Sequence, residues 1–290
     1  MIPSSFDYKR AATVSEAITL MQANPNAKIL AGGHSLIPAM KLRLSNPAML
    51  IDIARISDLN FIKDRGKYIA IGAMTTHGTI ASHKTITSKI PLFAHAADLI
   101  GDVQIRNKGT IGGSIAHADP ASDWPAVLLA ADASVVIQGA NGERKVSAEE
   151  FFVGFFTTAV GENELVTEIH VPDPTSLGNA ASNLVAYEKF MQPASRFAVV
   201  GCAVSLVWTD SIIQSAKVAF NGVSDHAYRA KAVEAALVGK PLDAITIGLA
   251  CKHATDDAAM IMSDHYASED YRTHLAQVYC RKALEVCLNS

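Results

Sequence analysis

The sequence predicts an α+β protein with α/β-like lobes. A two-lobed first domain covers residues 1–174, divided near residue 55, and a smaller α+β domain of antiparallel sheet and helices covers 175–290. Three observations carry this. Short apolar segments alternate with helical patterns through the first 55 residues, the rhythm of a βαβ unit. Strand-like runs at 185–190, 197–208 and 215–220 precede three helical stretches, the succession of an α+β domain. Between the halves, Pro172-Asp173-Pro174 and the small polar TSLGNAASN offer little to bury, as a domain junction does.

Taken in order, Thr13-Val14-Ser15-Glu16 reads as a capping box, and Ala17, Leu20 and Met21 give the helix behind it an apolar face. Asn24-Pro25-Asn26 ends that helix. A strand at 28–31, a short helix at 37–43 and a strand at 49–53 complete the first lobe. The second lobe holds a strand at 68–73, a helix at 90–100 and a hairpin of 133–138 with 144–146 around Asn141-Gly142. A second capping box, Ser147 to Glu150, and a strand at 165–171 follow. Beyond the junction, Asn221-Gly222 marks a turn, and helices are expected at 229–238, 245–262 and 268–288.

Two glycine-rich stretches dominate the functional reading: LAGGHSLIP, from Leu30 to Pro38, and IRNKGTIGGSIAHADPASD, from Ile105 to Asp123. Glycine admits φ > 0 and lets a ligand approach the main chain. Successive N–H groups in such a turn form a concave nest for phosphate. Two such stretches, both rich in hydroxyls, point to a dinucleotide. The first follows a strand's C-terminal end, where ligands gather in open α/β folds. Neither a G-x-G-x-x-G nor a G-x-x-x-x-G-K-[ST] pattern is present, so the grip differs from a Rossmann site or a P-loop.

Composition narrows the class. The chain has 290 residues, 49% of them hydrophobic, and a net charge of −3, which gives no reason to expect nucleic acid. Its first ten residues lack a signal-peptide core, and the most apolar run, 124–137, is interrupted by Asp132 and too short for a bilayer. A soluble cytoplasmic protein is the expectation. Cys202, Cys251, Cys280 and Cys287 form no C-x-x-C pair and lack the spacing of iron–sulfur ligands. His34, His77 and His117 have no metal-ligand spacing, and no nucleophile signature is found.

AGGHSLIP, IGAMTTH and QIRNKGTIGGSIAHADPASDWPA resemble the flavin-binding medium subunit of the carbon monoxide dehydrogenase and xanthine dehydrogenase family, and the resemblance spans essentially the whole chain. It implies a two-lobed FAD domain of the vanillyl-alcohol-oxidase/PCMH type followed by the smaller α+β domain. It implies FAD on this chain, and the molybdenum cofactor and 2Fe-2S clusters on partner chains. Those partners would be a large molybdenum subunit and a small iron–sulfur subunit, assembled as a dimer of heterotrimers.

The cofactor contacts it implies begin with Leu30, Ala31, Gly32, Gly33, His34, Ser35 and Leu36 in the first stretch. They continue with Ile100, then Thr110, Ile111, Gly112, Gly113 and Ser114, where the family commonly has Asn at the last position. Asp123 resembles the acid that meets ribose or ribityl hydroxyls. As a residue, it also suits a helix N-cap before Trp124-Pro125. Val166 matches a position whose backbone reaches the flavin. Tyr187 is placed on the ring face, and Lys189 near N1 and O2, where its charge would tune the potential. A solvated lysine on an edge strand is the plainer reading of Lys189. Residues 190–197, FMQPASRF, depart from the carbon monoxide dehydrogenase pattern.

The function implied is an electron-transfer subunit that takes electrons from iron–sulfur centres and passes them to an external acceptor. No residue acts on the organic substrate. The competing expectation is a self-contained flavoprotein oxidase with FAD attached covalently to His34.

Overall fold

The first lobe starts from a reciprocal cap. Thr13 Oγ1 accepts from the Glu16 N–H at 3.1 Å, while the Glu16 carboxylate accepts from the Ala12 N–H at 2.7 Å. The helix Val14–Ala23 so initiated packs on a three-stranded parallel sheet, in which Met49–Asp52 lies between Asp7–Arg10 and Ala27–Leu30. Ala17, Ile51, Ile53 and Leu59 form its core.

The computed structural model describes residues 1–174 and 182–290, so most of the TSLGNAASN stretch lies outside the described residues. The architecture is α+β. The second lobe is a five-stranded antiparallel sheet ordered Ile62–Asp64, Tyr68–Gly72, Leu165–Pro172, Ser134–Gly139, Gly142–Ser147. Gly142 turns the hairpin with φ 111°. Ile69, Ile71, Val135, Ile137 and Ile169 from this sheet share a core with Phe93 and Trp124 from the helices Pro91–Leu99 and Asp123–Ala130.

The third sheet is antiparallel, ordered Ser182–Met191, Ala198–Thr209, Ile212–Asn221, Tyr228–Arg229. Its period-2 alternation buries both faces. Ala186, Cys202, Val204, Val218 and Phe220 pack with the helices Lys231–Leu237, Ala244–Ala250 and Glu269–Leu288. The intervening Tyr187, Ala203 and Ala219 join the Trp124 core on the other side. The small alanines let the helix Asp123–Ala130 lie close against the sheet.

Three expectations are corrected. The helix expected over 245–262 ends at Ala250, with a single 3-10 turn at Cys251–His253. Thr255, Asp256 and Asp257 favour caps over helix interiors, and Asp257 accepts from the Ala232 N–H at 2.8 Å, capping a neighbouring helix instead. The second glycine pair is helical, since Gly112 and Gly113 lie in the first turn of Ile111–His117, with Thr110 Oγ1 accepting from the Gly113 N–H. Asp123 is the first helical residue rather than the cap, which is Ser122.

Candidate functional site

The strand Ala27–Leu30 delivers Ala31–Ser35 to the wall of a cavity of about 850 Å³ where the lobes and the third sheet meet. This size suits a large organic ligand. Gly33 adopts φ 78°, a left-handed turn that glycine takes without strain. The N–H groups of Gly32, Gly33, His34 and Ser35 have no acceptor among the described residues. Four consecutive unengaged donors beside a cavity make a nest for an anion such as a phosphate.

The second stretch works differently. Its N–H groups are engaged within the protein: Ile111 to Thr75 O at 3.1 Å, Gly112 to Ala73 O at 2.9 Å, Gly113 to Thr110 Oγ1 at 3.2 Å and Ser114 to Thr110 O at 3.0 Å. These N–H groups therefore already have acceptors, and the second stretch offers the cavity hydroxyls rather than the expected free backbone donors. Thr110 and Ser114 lie on the wall, with Ser114 Oγ 2.7 Å from Ser122 Oγ. Its glycines serve close packing. A Cβ on Gly112 would stand 2.7 Å from Ala73 O, and one on Gly32 would stand 2.2 Å from Lys108 O. The two stretches thus meet backbone to backbone.

Asp123 lines the cavity from within a buried cluster. Its Oδ1 accepts from Tyr187 Oη at 2.5 Å and from Lys189 Nζ at 2.9 Å, and its Oδ2 accepts from Lys189 Nζ at 3.0 Å. Lys189 donates again to Arg196 O at 2.7 Å. Burial pushes the Asp123 carboxyl up and the Lys189 ammonium down, each opposed by the other's charge. Burial also holds the Tyr187 phenol well above its ordinary value, with the Asp123 charge adding to it. A carboxylate offers about four lone-pair sites, so Asp123 keeps capacity for one ligand hydroxyl.

Of the expected contacts, Ala31, Gly32, Gly33, His34, Ser35, Leu36, Ile100, Thr110, Gly112, Gly113, Ser114, Asp123 and Val166 line the cavity together. Leu30, Ile111, Tyr187 and Lys189 do not line it. Tyr187 and Lys189 are both buried, and they hold Asp123. Lys189 is not a solvated edge residue: its side chain is fully covered.

Sequence reasoning missed His77, Arg196 and Phe197 as wall residues. His77 accepts from Trp124 Nε1 at 3.1 Å, and burial drives its pKa to about 3, so it is a neutral imidazole. The TTH stretch was a sequence signal for it. Arg196 and Phe197 fall in the divergent FMQPASRF segment. No group of three or more His, Cys, Asp or Glu side chains among the described residues is arranged to hold a metal. No helix among them is long and apolar enough to cross a membrane.

The donors fit FAD. The nest suits a pyrophosphate, the hydroxyls and Asp123 suit polyol oxygens, and Ile100 and Val166 offer apolar wall. Comparison with known proteins agrees with this chemistry. Residues 4–174 match the FAD binding domain in molybdopterin dehydrogenase, and residues 185–286 match the CO dehydrogenase flavoprotein C-terminal domain. The glyceraldehyde dehydrogenase medium chain of Sulfolobus acidocaldarius is 39% identical, over 98% of this chain and 99% of that one. The carbon monoxide dehydrogenase medium chain of Hydrogenophaga pseudoflava is 38% identical, over 98% and 97%. A solved carbon monoxide dehydrogenase structure from Hydrogenophaga pseudoflava superposes with a TM-score of 0.94 at 40% identity, covering 100% of this chain and 99% of that one. The chain belongs to the family of FAD-binding medium subunits of the molybdopterin dehydrogenases.

Proposed function

We propose that this chain binds FAD noncovalently and is the electron-transfer subunit of a molybdenum-containing hydroxylase. The observation that carries the reading is the row of unengaged N–H groups at 32–35, set in a cavity of dinucleotide size. The similarity to medium chains of dehydrogenases over 98% of the sequence supports the assembly. Its partners are a large subunit holding the molybdenum cofactor and a small subunit holding iron–sulfur clusters, in a dimer of heterotrimers in the cytoplasm. The FAD domain ends near residue 174, and 175–290 form the second domain.

When bound, FAD supplies the interconversion of two-electron and one-electron transfer. The protein's own residues position it. The nest from Gly32 to Ser35 donates to the pyrophosphate, with each charge-assisted bond contributing roughly 1.5–3 kcal/mol. Thr110 and Ser114 add hydroxyl contacts. Asp123, fixed by Lys189 and Tyr187, accepts from a cofactor hydroxyl. Ile100 and Val166 exclude water from the apolar part. None of these groups is arranged as a nucleophile or an acid–base pair for an organic substrate, so the substrate is chosen on the large subunit.

Anaerobic stopped-flow tests the reading. The FAD-loaded chain alone should not be bleached by carbon monoxide, aldehydes or N-heteroaromatics, while dithionite should bleach it. With its partners added, whichever substrate the large subunit accepts should bleach it. Rapid bleaching of the lone chain by an organic substrate would instead establish a self-contained oxidase. Acid precipitation separates the covalent alternative at His34, because a noncovalent flavin leaves the pellet colourless.

A further inference from the structure

The loop between Ser182–Met191 and Ala198–Thr209 brings a cation to the cavity wall. Lys189 cannot serve a ligand there: an ammonium has three donors, and both Asp123 oxygens and Arg196 O take them at 2.7–3.0 Å. Arg196 is different. It lines the cavity, and its Nε is buried without a hydrogen-bond acceptor among the described residues. The backbone holds it in place. Its N–H donates to Gln192 O at 2.8 Å, its carbonyl accepts from Lys189, and its φ is 62°, a left-handed conformation uncommon outside glycine.

The charge count at this site leaves one positive charge over, since Lys189 and Arg196 face the single carboxylate of Asp123. Of the other acids on the wall, Glu164 is paired with Arg144 at 2.6 Å and Glu162 is exposed. A run of contacts links this site to the nest. From the nest, Ala31 adjoins Gly113, Ser114 bonds Ser122, and Asp123 follows, with Lys189 joining it to Arg196. Arg196 is the last residue in this run of contacts from the nest and lines the same cavity.

We propose that Arg196, and not Lys189, is the cation this chain presents to the flavin ring, where its unpaired positive charge favours the reduced cofactor. Lys189 is a positioning residue: it neutralises Asp123 and anchors the Arg196 backbone. This rests on the FAD reading above. Arg196 falls within residues 190–197, the segment that departs from the carbon monoxide dehydrogenase pattern.

The test uses the full chain loaded with FAD, with spectroelectrochemical titration of the flavin and a separate FAD dissociation constant from fluorescence. R196Q and R196M should retain FAD within a few-fold and make reduction about tenfold less favourable, a fall of about 30 mV for a two-electron couple. R196K, which keeps the charge, should recover most of that shift. An unchanged potential in R196Q and R196M overturns the inference while FAD binding stands. So does loss of FAD with an unshifted potential in the loaded fraction, which would assign Arg196 to the phosphates. R196K as low as R196Q would refute charge as the cause. A wild-type chain that takes up no FAD would refute the FAD reading itself.

Discussion

Removing the Asp123 carboxylate should unfold the protein at markedly lower temperature even before any cofactor is considered. In Asp123→Ala, the Lys189 ammonium, with a side chain that is 0% exposed, keeps only Arg196 O as a partner. Breaking a buried pair by deleting one member costs about 3–5 kcal/mol. With an unfolding entropy of roughly 2.1 cal/mol/K per residue, that is a Tm fall of about 5–8 °C for a chain of this length. Tyr187 is not left orphaned, because Asn221 Oδ1 lies 3.2 Å from its hydroxyl. Lys189→Met should also destabilise, but with the opposite pH trend. A lone buried lysine has its folded pKa below the unfolded value, so the Asp123→Ala deficit shrinks as pH rises. A lone buried carboxyl has its folded pKa above the unfolded value, so the Lys189→Met deficit shrinks as pH falls. The double variant should lie closer to wild type than the sum of the singles, since an apolar pair replaces an ionic one at little net cost. Thermal unfolding of the full chain without FAD, from pH 5.5 to 8.5, checks all three. Additive losses, or parallel pH trends, would refute the description of 123 and 189 as a buried charge pair.

The nest and the second glycine pair should fail in different ways. Gly33→Val should abolish FAD uptake in equilibrium dialysis, because φ 78° is hostile to a β-branched residue and the nest depends on it. Gly113→Val should lower Tm as well, because its Cβ would stand 2.8 Å from the Thr110 Oγ1 that caps the helix. His77 should make the fold acid-sensitive. Its folded pKa of about 3 lies below the unfolded 6.5, so the stability it contributes is present above pH 6.5 and lost as pH falls. Between pH 7 and 5 the loss is about 2 kcal/mol. Denaturant titrations should show wild type and His77→Gln converging by that amount, and a constant gap would contradict a buried neutral imidazole.

Much of this was legible in the sequence because it is local. The Thr13 and Ser147 caps, the Asn141-Gly142 hairpin and the Ala31–Ser35 turn are written within a few consecutive residues. Asp123 was identified too, although two readings competed for it. What escaped depended on distant partners. Nothing near Tyr187 or Lys189 indicates that a carboxylate 64 or 66 residues earlier takes both side chains. A lysine on a strand reads as solvated until a helix is known to cover that face. The GTIGGS stretch looked like a loop because glycine is a poor helix former. The compensating contacts, Gly112 against Ala73 and Thr110 over Gly113, come from tertiary packing and capping. The over-long helix at 245–262 failed for a similar reason, since the structure uses Asp257 to cap another element.

The double burial of the third sheet has a consequence for how such a gene can change. The family matches divide the sequence into two modules, but the second supplies Tyr187 and Lys189 to a carboxylate that belongs to the first. A truncation near residue 174 would strip the cover from Trp124 and leave Asp123 without its countercharge. The first half, expressed alone, would inherit a flavin cradle with an exposed flank. Recombination between relatives is therefore constrained at a point with no sequence signature. A swapped C-terminal half must arrive with a cation and a hydroxyl at these two strand positions, or the chimera starts with a naked acid in its interior.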